Sequence, residues 1–467
     1  MSLTHSLNNA LSGMTISAKR AEVSSGNIAN AATPGYAKRD LEVASDVVRG
    51  GVRAAGVTRT VDDALLADRR SADTNAAGAQ VRHEALKRLE LVIGGIDSET
   101  SISAKLADLE TKFIAASADP SSELQIGAVA QSLSDLTTAF HTQSAGIQTL
   151  RSRVDHAIGD AVERLNIALK QVEELNGSIT RSQSRGGDTT ALQDQRQQVI
   201  DQIAEIVPIR QLSRDGGQVA LMMPSGTSLL DGKAREVAFT KTSTIAADMT
   251  LASGALSGIT IGGRDIGSRL GDGALGTQLK MRDETLVQAH SDLDALAADL
   301  IGRFAEADPT IAAGQPSLLT DSGGLHDPND TVGLASRISL HSALSAEPWR
   351  LRDGIAAATA GPAGDNTQID AWIDALNEPR ASVGGSPQSA AGHAANFITS
   401  ASTARLRAED TATFSVATQT ALKEAELANG VDTDAEIQAL LQIEKSYAAN
   451  AKVIGIIDEM FARLLEI

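Results

Sequence analysis

Asn27-Ile28-Ala29-Asn30-Ala31-Ala32-Thr33-Pro34-Gly35-Tyr36 is the stretch on which the reading of this chain turns. Pro34 has no backbone N–H to donate and steers Thr33 away from the α region. Pro34-Gly35 suits the two central positions of a type II turn, with Gly supplying the positive φ. Asn30, or Asn27 if the helix ends sooner, is expected in a left-handed position at the helix end. The stretch is therefore a stop and a redirection. A helical pattern precedes it from Leu3 to Ile28, and an extended pattern follows.

Upstream, Leu7, Leu11, Met14, Ala18, Ala21, Ser25 and Ile28 recur at alternating spacings of four and three, the seam of a coiled coil. Near the far end, Leu440, Ile443, Tyr447, Asn450, Ile454, Ile457, Phe461 and Leu464 form a second seam, in a helix expected over 434–465. Asn450 is polar and suited to fixing register at some cost in stability. Turn residues set both helices apart, Pro34-Gly35 at one end and Asn429-Gly430-Val431-Asp432 at the other. A lone helix of this length is marginal in water. At roughly 1.5–3 kcal/mol per buried Leu-sized side chain, each seam suffices only if the two ends pair or meet neighbouring subunits.

Between the ends, 37–60 reads as an extended pair in which Leu41 and Val43 alternate, with Gly50-Gly51 as its turn. Asp62 is placed to cap the next helix. Helices are expected over Ile102–Ala118 and from Ser121-Ser122 to about Ser182, the latter long enough for a rod, and a further one reaches Val207. Short apolar runs between Gly, Asp and Ser turns make 209–270 an antiparallel β region. A helix follows from Leu275 to Phe304, then a loop stretch over 308–330 and short helices at 349–360 and 367–378. The helical pattern resumes from Gly392 to Asn429. The fold class is mainly α with a β-containing middle (α+β), an elongated multi-domain rod whose terminal helices pair. Its parts are an assembly helix, 1–36, forming a terminal domain with 432–467; a long-helix body, 37–208, with a β pair at 39–60; a β-rich segment, 209–270; a returning helix, 271–306; a reduced outer region of loops and short helices, 307–400; and a body helix, 401–431.

Composition agrees. Of 467 residues 42% are hydrophobic but only 2% aromatic, so helices packed closely side by side are favoured over globules with bulky centres. A net charge of -18 argues against sequence-independent nucleic-acid binding, which needs clustered Lys and Arg, and against an anionic membrane surface. There is no cysteine, which excludes disulfides and thiolate metal sites. No apolar run is long enough to span a bilayer. Met1 to Met14 contain no basic cluster ahead of an apolar core, so a cleaved secretory signal is not expected.

Little in the chain points to catalysis. Gly271-Asp272-Gly273-Ala274-Leu275-Gly276 is a literal G-x-G-x-x-G, but a dinucleotide site needs it after a buried parallel strand, and Asp265-Ile266-Gly267-Ser268-Arg269-Leu270 makes a poor one. The eight histidines are scattered without metal-ligand spacing. Asn176-Gly177-Ser178 is a formal glycosylation sequon of little weight without a secretory signal. No catalytic, cofactor-binding or metal-binding residue is expected, and no cofactor.

Asn27 to Tyr36 fits N-[LIVM]-A-N-x-x-T-P-G-[FY] at every fixed position, and with it the chain resembles the axial proteins of the bacterial flagellum. The signature residues are Asn27, Ala29, Asn30, Thr33, Pro34, Gly35 and Tyr36. Further stretches are similar to the hook-associated protein 1 family: Gly51-Val52-Arg53 with Val57-Thr58-Arg59-Thr60-Val61-Asp62; Leu192-Gln193-Asp194-Gln195-Arg196 with Gly217-Gln218-Val219 and Ser225-Gly226-Thr227-Ser228-Leu229-Leu230; Gly273 to Leu279 with Arg282-Asp283; and Leu441 to Ile454. The likeness is weakest over 307–400. It implies a structural adaptor between hook and filament, at the extracellular hook–filament junction, exported through the flagellar type III pathway without a cleaved signal. Implied partners are the hook protein, the next hook-associated protein towards the filament, further copies of the chain in a ring, and an export chaperone on the carboxyl-terminal helix; neither nucleic acid nor membrane insertion is implied. The two seams would be the assembly interface. The alternatives are another axial subunit of hook or rod type, or a soluble nucleotide-dependent enzyme built on the 271–276 loop.

Overall fold

The computed structural model describes residues 3–48, 50–95, 97–381 and 386–465. The elements run α1 (Leu3–Asn30), β1 (Lys38–Ser45), β2 (Val52–Thr60), α2 (Asp63–Ile93), α3 (Ile102–Ala118), α4 (Glu123–Ser184) and α5 (Thr190–Ile206). Seven short strands follow: β3 (Arg210–Ser213), β4 (Val219–Met222), β5 (Ser228–Asp231), β6 (Lys233–Ala234), β7 (Val237–Ala238), β8 (Thr260–Ile261) and β9 (Arg264–Asp265). The chain then returns through α6 (Ala274–Lys280), α7 (Leu286–Glu306), β10 (Leu319–Asp321), β11 (Ile338–Leu340), α8 (Ala343–Ala346), α9 (Arg350–Asp353), α10 (Thr367–Asn377), α11 (Ala390–Ala428) and α12 (Thr433–Leu465).

The rod is α4. Its 62 residues make a helix about 93 Å long at 1.5 Å per residue. Ser122 caps its start by accepting from the Gln125 N–H, and Arg185 and Gly186 close its end with bonds to Ser182 and Gln183. Two apolar cores line up along it. Its first half, from Ile126 to Leu150, packs with α2, α3, α7 and residues of 318–376 around Phe113, Phe140, Phe304 and Trp372. Trp372 stands edge-on to Phe304 at 5.5 Å and donates its Nε1–H to the Leu351 carbonyl. The second half, Ile158 to Val172, packs with α5, α6 and the inner faces of two antiparallel sheets, β3-β4-β5-β6 and β7-β8-β9.

The sheets are strapped to the rod by buried arginines. Between α6 and α7 lies a single π-helical turn, Met281–Thr285, in which the Leu286 N–H reaches Met281 O. Arg282 in that turn is fully buried. It donates to Asp155 of α4 at 2.6 Å, to the Ser257 carbonyl at 2.9 Å and to Asp283 at 2.7 Å. Burial works against its charge, but Asp283 and Asp155 outweigh it and its pKa is raised. Beside it, Arg151 donates to the carbonyls of Arg282, Ala246 and Met249.

Several local expectations need correcting. Neither Asn30 nor Asn27 is left-handed; among the described residues the one non-glycine with positive φ is Ser322. The helix expected over 349–360 is the single turn Arg350–Asp353, because Gly354 turns at φ 101° against Asp308 and Thr310. The loop stretch after 308 contains β10, paired antiparallel with β11. The glycine loop 271–276 follows a short 3-10 turn, Gly267–Arg269, not a parallel strand. Gly271 has φ 66°, and a Cβ on Gly276 would run into its carbonyl. Gly78 of α2 lies directly against the Asp272 carbonyl. These glycines let α2 and the loop touch backbone to backbone. Gly78→Ala is therefore expected to cost about 1–3 kcal/mol by overpacking, despite alanine's better helix propensity. Chemical denaturation checks this, and an unchanged or raised midpoint contradicts it.

Candidate assembly interface

The terminal helices run antiparallel. α12 packs chiefly on α1, and α1 also rests on the β1–β2 hairpin. Of the carboxyl-terminal seam, Ile457 is buried, and Leu440, Ile443, Asn450 and Ile454 are half-buried along α1. Tyr447 is 43% and Phe461 36% exposed. The side chain of Leu464 lies outside the described residues.

On α1 the inward column is the one beside the column read from the sequence. Ala10, Ile16, Ser17, Ser24 and Asn27 are buried, whereas Leu11, Ala18 and Ser25 are exposed and Leu7, Met14, Ala21 and Ile28 are half-buried. The reason is close approach. A Cβ on Gly13 would lie 2.7 Å from Asn450 Nδ2, so the contact is built on small residues and polar partners rather than on the largest apolar ones. The apolar side chains this leaves outward, Leu11 on α1 and Ile437, Leu441, Val453, Ile456 and Met460 on α12, are all between 42% and 54% exposed.

The signature stretch is the joint. Gly35 has φ 77°, and the Tyr36 N–H donates to the Thr33 carbonyl at 3.1 Å, closing the expected turn around Pro34-Gly35. Gln198 Nε2 donates to the Pro34 carbonyl, fastening the turn to α5. Asn27, 1% exposed, uses its whole amide. Its Oδ1 accepts from the Arg39 N–H at 3.0 Å and the Tyr36 hydroxyl at 2.9 Å. Its Nδ2 donates to the Arg39 carbonyl at 2.9 Å and to Glu436 at 3.2 Å. Asn27 thus pairs with the Arg39 peptide as a neighbouring strand would, while holding the first turn of α12. Ser24 Oγ donates to the other Glu436 oxygen at 2.6 Å, and Lys38 stands 3.6 Å from that carboxylate. Asp432 caps α12, accepting from the Asp434 and Ala435 N–H groups.

A second carboxylate carries the joint to the body. Asp194 of α5 bridges Arg39 of β1 and Arg59 of β2, each at 2.7 Å. Two residues on, Arg196 donates to Asn176 of α4 and to the Gly217 carbonyl. Burial, with Arg59 and Arg70 nearby, lowers that guanidinium to about 10. Ala29, Asn30 and Thr33 serve the helix end, Asn30 bonding back to Gly26 and Thr33 to Asn30.

One arrangement escaped the sequence reading. Ser144 Oγ lies 2.8 Å from His290 Nε2, and His290 Nδ1 lies 3.1 Å from Asp294. The order is that of a hydrolytic triad. Yet Ser144 is 2% and His290 5% exposed, so no substrate reaches the hydroxyl without opening the core. Asp294 also accepts from the Gly333 and Ala335 N–H groups, so the array clasps that turn to α4 and α7. Ser144 and His290 are 146 residues apart, which hides the pairing from any local motif. Among the described residues no cluster of carboxylates and histidines is arranged to hold a metal, and no helix is long and apolar enough to cross a membrane.

Residues 86–309 match the family model of the flagellar hook-associated protein FlgK helical domain, and residues 427–467 that of the flagellar basal body rod FlgEFG protein C-terminal region. Flagellar hook-associated protein 1 of Escherichia coli K12 is 27% identical over 316 residues, covering 64% of this chain and 56% of that protein. The chain thus matches little more than half the length of that relative. Flagellar hook-associated protein 1 of Bacillus subtilis 168 is 23% identical, over 96% of each chain. The solved structure of the flagellar hook junction protein FlgK from Burkholderia pseudomallei aligns with a TM-score of 0.60 at 12% identity, over 79% of this chain and all of that one, which shows a shared fold. These are the proteins that the motifs resembled.

Proposed function

We infer, from a chain whose residues 86–309 match the model of the FlgK helical domain, that it is a structural subunit of the bacterial flagellum joining hook to filament. It works as a piece of the axial structure and not as an enzyme. The observation that supports this reading best is the terminal pair. α12 is held at one end by Glu436 and along one face by α1, and its other face carries exposed Ile, Leu, Val and Met. A protein seldom leaves so long an apolar face in water without a partner for it.

In this reading the two seams, with the outward side chains beside them, are where neighbouring axial subunits meet. The hook protein lies on one side, the next hook-associated protein on the other, and further copies of the chain complete a ring. Residues 1–36 and 432–467 form the assembly domain, and 37–431 hold it at a set angle. The chain reaches the outside of the cell through the flagellar export path, with α12 covered by a chaperone until then.

Removal of residues 434–467 tests this. The truncated chain is expected to stay folded, because both apolar cores lie in the body, and to fail to support filament attachment in cells that lack the full-length protein. Filaments attached at normal frequency with the truncated chain would overturn the reading.

A further inference from the structure

A groove of about 380 Å³ runs between α2 and α4, far in sequence from the terminal helices. Its floor is apolar, formed by Val81, Ala85, Leu150, Val154 and Leu286. Its edge carries two exposed cations, Arg88 and Arg153, and one carboxylate, Glu84. Arg88 shares Glu84 at 3.3 Å, whereas no ion pair of Arg153 is formed among the described residues.

On α11, Leu406, Asp410 and Phe414 follow one another at intervals of four and so share one face. Leu406 is 51% and Phe414 73% exposed, and Phe414 is one of only seven phenylalanines in the chain. Asp410 is exposed between them and forms no ion pair among the described residues. The two surfaces complement each other in chemistry: a carboxylate flanked by two large apolar side chains, and an apolar trough edged by Arg153 and by Arg88 with its partner Glu84. They also match in length. From Leu406 to Phe414 is about 12 Å along a helix, and from Val81 to Arg88 about 10 Å.

They cannot meet within one copy. α2 turns Glu90 towards α11, where it pairs with Arg405 at 2.6 Å and accepts from Ser402. Val81 and Arg88 lie nine and two residues before Glu90, roughly half a turn away round the helix. The groove therefore opens on the side of α2 away from α11, while Phe414 points out from the far side of α11. A donor surface on one side and its acceptor on the other make a head-to-tail contact, which closes rings or extends helical arrays.

We propose that the α2–α4 groove receives the Leu406–Asp410–Phe414 face of α11 from a second copy of this chain. The docking is that of an amphipathic helix laid in a groove, with Phe414 as its anchor. This rests on the axial-subunit reading above and names the residues through which its copies meet laterally.

The chain has no cysteine of its own, so cross-linking can be read without background. The full chain carrying Gln80→Cys and Thr411→Cys, both at exposed positions beside the two surfaces, is treated with a short bis-maleimide. A ladder of dimers, trimers and longer oligomers is expected. Asp410→Arg should reduce it about tenfold by setting like charges together, and Arg153→Glu in the same chain should restore it. Phe414→Ser should abolish it while leaving the melting curve of the monomer unchanged. Absence of the ladder, indifference to charge reversal, or dimers from chains carrying Gln80→Cys alone would each overturn the proposal. The last would mean that groove faces groove. A chain that gives no ladder yet restores filament attachment sinks the docking and leaves the axial reading standing. One that ladders but does not restore attachment does the reverse.

Discussion

Asn27→Ala is expected to loosen both terminal helices from the body without unfolding it. The amide of Asn27 fills two donor and two acceptor positions, so its loss strands the Arg39 N–H and carbonyl and the Tyr36 hydroxyl, and leaves the facing oxygen of Glu436 to Lys38, 3.6 Å away. A buried polar group left unpaired costs about 1–3 kcal/mol, and water can recover part of that at an edge site, so roughly 2–4 kcal/mol is expected in all. The loss falls on the joint because α12 packs chiefly on α1, and the Asn27–Glu436 contact ties that pair to β1; helices of this kind are marginal once detached. Hydrogen exchange measured peptide by peptide is the direct readout. In the parent chain α12 should already exchange faster than the buried stretch of α4 around Phe140 and Ile147. The substitution should speed α12 and α1 by roughly two orders of magnitude, since each 1.4 kcal/mol is tenfold. Exchange in α4 should not change. Equal protection of α12 in both proteins would show that Asn27 is not the fastening.

Arg282→Ala is expected to act on the opposite part of the molecule and to destabilise it as a whole. Arg282 and Asp155 are both 0% exposed in their side chains. Removing the cation leaves the carboxylate of Asp155 buried with one hydrogen bond among the described residues, from the Thr242 N–H, and frees the Ser257 carbonyl and Asp283. Breaking a buried pair from one side costs about 3–5 kcal/mol, because the remaining charge has neither water nor partner. Replacing both residues by apolar ones is not expected to recover the loss, since Arg282 also satisfies a carbonyl and a second carboxylate. The midpoint of denaturant unfolding should fall accordingly, with α6, α7 and the 240–257 loops most affected in hydrogen exchange. A midpoint within about 1 kcal/mol of the parent would mean that the straps are dispensable. Asp155→Asn is expected to do less, because Arg282 keeps Asp283.

Much of the architecture could be read from local pattern. The serines that open α4, the proline–glycine turn at 34–35 and the capping aspartate before α2 act within a few residues of themselves, so their signal survives in one dimension. The carboxyl-terminal column was legible in part: α12 packs chiefly on α1, and Leu440, Ile443, Asn450, Ile454 and Ile457 record that contact, whereas Tyr447 and Phe461 stay exposed. The amino-terminal seam was read one column out. Counting large apolar residues finds the stripe with most to bury, whereas α1 turns inward the stripe that lets α12 come closest, with Ala10, Gly13, Ser17 and Ser24. The strands β10 and β11 were missed because three residues each, 17 apart, carry too few side chains to set a period.

The sequence alone determined where the long helices lie, that the middle contains β structure, that the ends are set apart from the body by turns, and that the chain resembles flagellar axial proteins. The turn at Asn27–Tyr36 was visible as a stop. Only the tertiary structure showed that it is a three-way fastening, in which one amide joins α1, β1 and a glutamate 409 residues further along the chain. The same holds for Asp155 with Arg282, 127 residues apart, and for Asp194 with Arg39, 155 apart. The physical reason is common to all three. Turns and caps depend on dihedral preferences of neighbouring residues, which the sequence states directly. A buried polar contact depends on which two distant groups are brought within 3 Å in the same dry space, and that is decided by how the helices and sheets pack.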